Sequence, residues 1–178
     1  MQKGKICFFT TILIFLLISC NAKQPLMYTY TISPTICEAC FSMTVTDFCN
    51  SQTPSANTPI LFDSATIDES GNLVLSVSEK QRIEWKKWIE PYTNYMGGID
   101  LSEDYTKITV EFYKDELTSI IIAVPYCIHM QVLNGKQSED IKVECLVIGE
   151  NENDIISHTV FPNEKNIFDL SIFENHIE

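Results

Sequence analysis

After residue 26, apolar and polar residues alternate in short runs that stop at turn-forming residues. Residues 27–33 are β-branched and aromatic, and residues 41–48 set Phe41, Met43 and Val45 against Ser42, Thr44 and Thr46. A period of two is that of a half-buried strand. Residues 60–67 and 73–77 flank the turn at 68–72, where Gly71 supplies positive φ for a hairpin. The same pattern pairs 107–113 with 118–124 around 114–116, and 126–133 with 141–148 around Asn134 and Gly135. It pairs 155–161 with 167–173 around 162–165. Short strands with regular turns predict a mainly β fold, an antiparallel β-sandwich. One segment departs from the pattern. Ser78 and Gln81 fit a capping box, and Trp85, Trp88, Ile89 and Tyr92 then follow a helical stripe up to Glu90 and Pro91. The expectation is therefore a β-sandwich with one inserted amphipathic helix at about 79–90.

The beginning of the chain has a different pattern. Lys3 and Lys5 precede an almost wholly apolar run from Ile6 to Ile18, and no acidic residue occurs before Glu38. About 13 residues are too few to span a ~30 Å hydrocarbon core comfortably, but they suit the apolar region of a signal peptide. The run ends Leu17, Ile18, Ser19, Cys20. Basic start, apolar run and this tetrad, in that order, resemble the signal peptide and lipobox of bacterial lipoproteins. The resemblance covers residues 1–20 and implies that Cys20 is lipidated and becomes the new N-terminus. It divides the chain into a signal peptide (1–19), a lipidated Cys20 with a tether (20–25) and a single β-rich domain (26–178). Asn21 rather than Asp implies the outer membrane by the same resemblance. A lipidated precursor with a β-sandwich also resembles, in architecture alone, the fimbrillin-type pilus subunits of Bacteroidota.

Charge narrows the partners. The chain has 178 residues, 12 basic and 24 acidic. Without Lys3 and Lys5, 10 basic residues face 24 acidic ones, a balance of −14. That argues against a nucleic-acid binder, which needs a basic face, and against electrostatic docking onto anionic lipid. An apolar content of 45% belongs to a folded chain.

Five cysteines remain once Cys7 and Cys20 are assigned to the leader and its lipid: Cys37, Cys40, Cys49, Cys127 and Cys145. An exported chain meets an oxidising space, so disulfides are expected. If residues 41–48 are a strand, Cys40 and Cys49 stand roughly 25–30 Å apart, beyond disulfide reach. Cys37–Cys40 is then the local pair. Strand parity places Cys49 and Cys145 on core-facing sides and puts Cys127 opposite, with His129 and Gln131. The expectation is Cys49–Cys145, with Cys127 left free. Cysteines packed in the reduced state as small hydrophobes are the alternative.

The C-x-x-C at Cys37 and Cys40 also invites a thiol–disulfide oxidoreductase, and Val124-Pro125 fits the proline such enzymes carry. That chemistry needs a helix N-terminus to stabilise a thiolate, whereas a strand is expected after Cys40. Zinc on Cys37, Cys40 and Cys49 with His129 or Cys127 lacks the second close pair of a structural zinc site. His129, His158 and His176 are scattered and are expected to be surface or half-buried residues. The acidic turns at 68–72 and 150–154 lack EF-hand spacing and are expected to be solvated loops. Trp85, Trp88, Tyr92 and Tyr95 are weak candidates for ligand contact, such as sugar stacking, set against a core role for aromatics at helical spacing. No catalytic residue, metal or cofactor is assigned. The expected function is that of a lipid-anchored, non-catalytic module of the cell envelope. It binds a protein, glycan or peptide partner or serves in envelope assembly. The alternatives are the oxidoreductase and a carrier of a small apolar ligand.

Overall fold

In the computed structural model, residues 25–51, 61–111, 117–149 and 155–163 are described. The leader with Cys20, the strand expected at 167–173 and the acidic loop at 150–154 lie outside them. Alternation works as expected in the first sheet. β1 (Met27–Ile32) turns Tyr30 and Ile32 inward and Met27 and Thr29 outward. It pairs antiparallel with β3 (Leu73–Ser78), whose other neighbour is β2 (Ser64–Ile67). Leu73, Leu75 and Val77 of β3 are fully buried. The β2–β3 hairpin forms where expected. Gly71 adopts φ +82°, and the Asp68 carboxylate accepts from the Ser70 and Asn72 amides at 2.9 and 2.8 Å.

The inserted helix also forms. α3 (Glu79–Ile89) opens with the capping box: Ser78 Oγ accepts from the Gln81 amide and Gln81 Oε1 accepts from the Ser78 amide. Reciprocal bonds of this kind satisfy two otherwise orphaned donors. A short 3₁₀ helix (Glu90–Tyr95) continues it.

The expected strand at 41–48 is corrected. The segment is divided between two short helices, α1 (Pro34–Phe41) and α2 (Val45–Asn50). Ser33 caps α1 with Pro34 in its first turn, and Thr44 caps α2 by accepting from the Asp47 amide at 3.1 Å. These are local start signals that the accidental alternation across 41–46 concealed.

The largest correction concerns 117–133. The strands expected at 118–124 and 126–133 are one helix, α4 (Leu117–Leu133), and neither hairpin built on them exists. The second sheet runs β4 (Ile99–Leu101), β5 (Lys107–Glu111), β6 (Val143–Ile148), β7 (Ile155–Phe161). β5 and β6 are parallel, and the other two pairs are antiparallel. A parallel pair cannot be joined by a tight turn, and α4 is the crossover it requires. Asn134 and Gly135 do not form a hairpin. They close α4: Gly135 has φ +83°, its amide donates to Val132 O at 2.8 Å, and Lys136 donates to Gln131 O at 3.1 Å. This is the Schellman pattern, which uses the same positive φ as a hairpin turn.

Helix occupies about 42% and strand about 31% of the described residues, so the described fold is mixed α and β with two sheets, not mainly β. The apolar core draws on both sheets and on α1, α3 and α4.

Candidate functional site

The polar chemistry of the interior converges on His129. It lies on α4 and is fully buried, which corrects the surface or half-buried placement expected of it. Trp85 of α3 donates its indole N–H to His129 Nδ1 at 3.2 Å, and Nε2 stands 3.1 Å from the Cys40 carbonyl oxygen at the end of α1. An indole can only donate, and a carbonyl can only accept. These partners therefore assign the neutral tautomer with the proton on Nε2. The rings of Phe41, Trp85 and Trp88 stand edge-on to the imidazole with centroids 5.3–5.8 Å away. Burial pushes its pKa down to about 4, against the hydrogen bond that Nε2 donates to the Cys40 carbonyl, which acts the other way. With both nitrogens engaged and no water access, His129 ties three helices together.

Gln131, two residues on, is likewise fully buried. Its Nε2 donates to Tyr105 O at 2.7 Å and to Lys142 O at 2.8 Å, joining α4 to the backbone just before each of the two parallel strands β5 and β6. Read as strand partners of Cys127, both residues took the polar side; on a helix buried on most of its surface they belong to the core. The length of the unbroken apolar segment was the signal that pointed to a helix.

All five described cysteines are free thiols, in two groups. Cys37 and Cys40 are buried on α1, and Cys49 is half-buried on α2. Burial pushes Cys37 up to about 11, and charge on Cys49 would raise it further. Burial holds Cys40 well above the ordinary thiol range. Cys127 on α4 and Cys145 on β6 form the second group, each pushed up to about 12 by burial, with Cys145 adding to the shift of Cys127. Cys145 faces the core as parity indicated, but Cys127 is not opposite it, because parity does not apply to a helix. The geometry behind a Cys49–Cys145 bond, and the long separation of Cys40 from Cys49, fall with the two strands on which they rested.

The C-x-x-C therefore does lie on a helix, contrary to expectation. However, Cys37 is the fourth residue of α1, its amide already donates to Ser33 O at 2.8 Å, and its thiol is sealed from water. No free helix N-terminus acts on the sulfur. Pro125 lies inside α4.

The four aromatic candidates separate. Trp85 is core and Tyr95 is open to solvent. Trp88 and Tyr92 are half-buried and meet edge to face at 6.2 Å. Sequence reasoning overlooked another aromatic group. Arg82 lies over the Tyr28 ring at 4.9 Å, pairs with Glu79 at 3.3 Å and donates to Leu133 O. The rings of Tyr28 and Tyr30 stack at 6.4 Å. Tyr28 is pushed up by its hydrogen bond to Glu79, and the same bond pulls Glu79 down. The alternation of Tyr28 with Tyr30 was visible, but only the fold places Arg82 against it.

His158, half-exposed on β7, stands 3.1 Å from Glu144. The Asp68 carboxylate is engaged by its own turn, and its pKa is lowered by those hydrogen bonds, chiefly from Asn72. Among the described residues no cluster of three or more His, Cys, Asp or Glu side chains is arranged to hold a metal ion, and no helix is long and apolar enough to cross a membrane. No protein-family model, no curated protein and no solved structure matches this chain. A reading of its function rests on its own residues.

Proposed function

We propose that this chain is a lipid-anchored protein of the cell envelope, moored through Cys20, with residues 26–178 acting as a non-catalytic binding or assembly module. Asn21 favours the outer membrane as its site. The anchor is supported by the ordered run of Lys3, Lys5, the apolar residues 6–18 and Leu17-Ile18-Ser19-Cys20. One observation carries the non-catalytic reading. One imidazole and four of the five described thiols are buried and held neutral: His129 low, and Cys37, Cys40, Cys127 and Cys145 high. A nucleophile or general base needs a pKa near ambient pH and access to substrate. Partners are then a protein, glycan or peptide met at the surface.

A thiol–disulfide oxidoreductase is the second reading, favoured by the helical setting of Cys37 and Cys40. It ranks below the first because desolvation raises both thiols. Two measurements test the proposal. Growth with labelled palmitate should mark the wild-type protein and not Cys20→Ala; label that is absent, or that persists in the variant, overturns the anchor. Alkylation of the folded protein with iodoacetamide at pH 8 should modify Cys49 first and spare Cys37. Rapid alkylation of Cys37 with a thiolate pKa below 7 would establish the redox reading instead.

A further inference from the structure

The basic residues of this acidic chain are not spread evenly. Of the ten outside the leader, four lie on the 11-residue helix α3: Lys80, Arg82, Lys86 and Lys87. Its two carboxylates are engaged, Glu79 with Arg82 and Glu84 with Lys87 at 3.0 Å. Lys80, Ile83 and Lys87 share the outward stripe of the helix and are all exposed. Asp63, outside the helix, accepts from Gln81 Nε2 at 3.0 Å.

Apolar side chains gather at the same corner. The Glu79 amide donates to Leu26 O at 3.2 Å, and Met27 pairs with Ser78, the cap of α3. Whereas the Met27 side chain faces the other side of the sheet, Leu26, on the same side of the strand as Tyr28, is 63% exposed and Ile83, one turn into the helix, 45%. Tyr28, with its hydroxyl toward Glu79 and its ring under Arg82, lies beside them. Apolar, tyrosyl and basic side chains in one patch are the composition of a surface that settles at a membrane interface.

The position of this corner in the chain identifies what covers it. Five residues lie between Cys20 and Leu26, a reach of at most about 22 Å over six steps. We infer that α3 and the start of β1 lie on the surface of the bilayer that holds the lipid, with Lys80 and Lys87 at anionic headgroups and Leu26 and Ile83 at the acyl boundary. This orientation rests on the lipid anchor proposed above. A short tether makes docking intramolecular, so a small patch suffices. The net negative charge of the whole body does not oppose it, because charges farther away than a Debye length of about 8 Å are largely screened.

Ile83 and Ile67 make the test internal to one molecule. They are the same side chain at 45% and 47% exposure. Ile67 pairs with Leu73, at the opposite end of β3 from Ser78 and Met27. The full lipidated chain is placed in vesicles of phosphatidylethanolamine and phosphatidylglycerol and footprinted with hydroxyl radicals, alongside Lys80→Gln/Lys87→Gln. In the wild type, Ile83 and Leu26 should be labelled at least fivefold more slowly than in the variant, while Ile67 is unchanged. Each basic residue near such a surface strengthens docking by roughly fivefold. A chain that floats with the vesicles yet gives the same ratio of Ile83 to Ile67 labelling in both proteins overturns the orientation and leaves the anchor standing. A chain that does not float overturns the anchor itself.

Discussion

α3 and α4 are both helices, but different forces hold them. α3 carries six charged residues, a capping box and one buried stripe through Trp85 and Ile89. Local hydrogen bonds start it, and one face holds it to the sheet. α4 carries no charge and encloses Pro125. It is buried at Ile120, Ala123, Val124, Cys127, Ile128, His129, Gln131, Val132 and Leu133, positions that leave little of its circumference to water. Its place is set by the parallel β5–β6 pair it must connect and by the buried bonds of His129 and Gln131. A helix at a surface announces itself in sequence; one inside a core is recognised by what surrounds it.

If this contrast is right, damage to the polar node of α4 should far exceed damage to the cap of α3. His129→Ala leaves the Trp85 indole N–H and the Cys40 carbonyl without their partner and opens a cavity between three helices. It should cost about 3–5 kcal/mol in urea denaturation. A loss below 1 kcal/mol would mean that the node is not what seats α4.

Acid should act on the same node. Folded His129 titrates at about 4, whereas the unfolded imidazole titrates near 6.5. Between these values the unfolded chain takes up a proton that the folded chain refuses, so the stability this group confers is complete above pH 6.5 and falls as pH drops toward 4. The loss should approach roughly 3 kcal/mol by pH 4. The carboxylates of Asp68, Glu79 and Asp104, all held low by hydrogen bonds, contribute stability that is lost as pH falls below about 5, so they add only at the acid end of that window. His129→Gln should flatten the slope between pH 6.5 and 4, and a slope that survives would assign it to other groups.

Ser78→Ala is the smallest of the three changes. It removes one of the two reciprocal bonds of the α3 cap and should cost about 1 kcal/mol by the same denaturation, with the fold intact. A cost equal to that of His129→Ala would erase the distinction between the helices.

Much of the first sheet was legible. The alternation of β1 and β3, the turn at Gly71 and the cap at Ser78 are local signals, each contained within a few residues. The candidate residues were legible as kinds but not as places. Cys37 and Cys40 were seen as a C-x-x-C, but whether they lie on a strand or a helix decides their chemistry, and Ser33-Pro34 was outweighed by the alternation that followed. Cys127, His129 and Gln131 were assigned sides by a period of two. The true period is 3.6, and in an apolar segment neither period is visible.

From its residues alone, this chain declares a basic and apolar start that resembles a lipoprotein leader, an acidic body and a half-buried sheet with one capped helix, because each of these is written in neighbouring positions. The parallel pairing of β5 with β6, the burial of α4, the neutral imidazole among three helices and the basic corner beside Leu26 arise only in the folded molecule. Each depends on contacts between residues far apart along the chain. Whether a polar group is desolvated, or a lysine shares a surface with an exposed isoleucine, is a property of that arrangement and not of any local pattern.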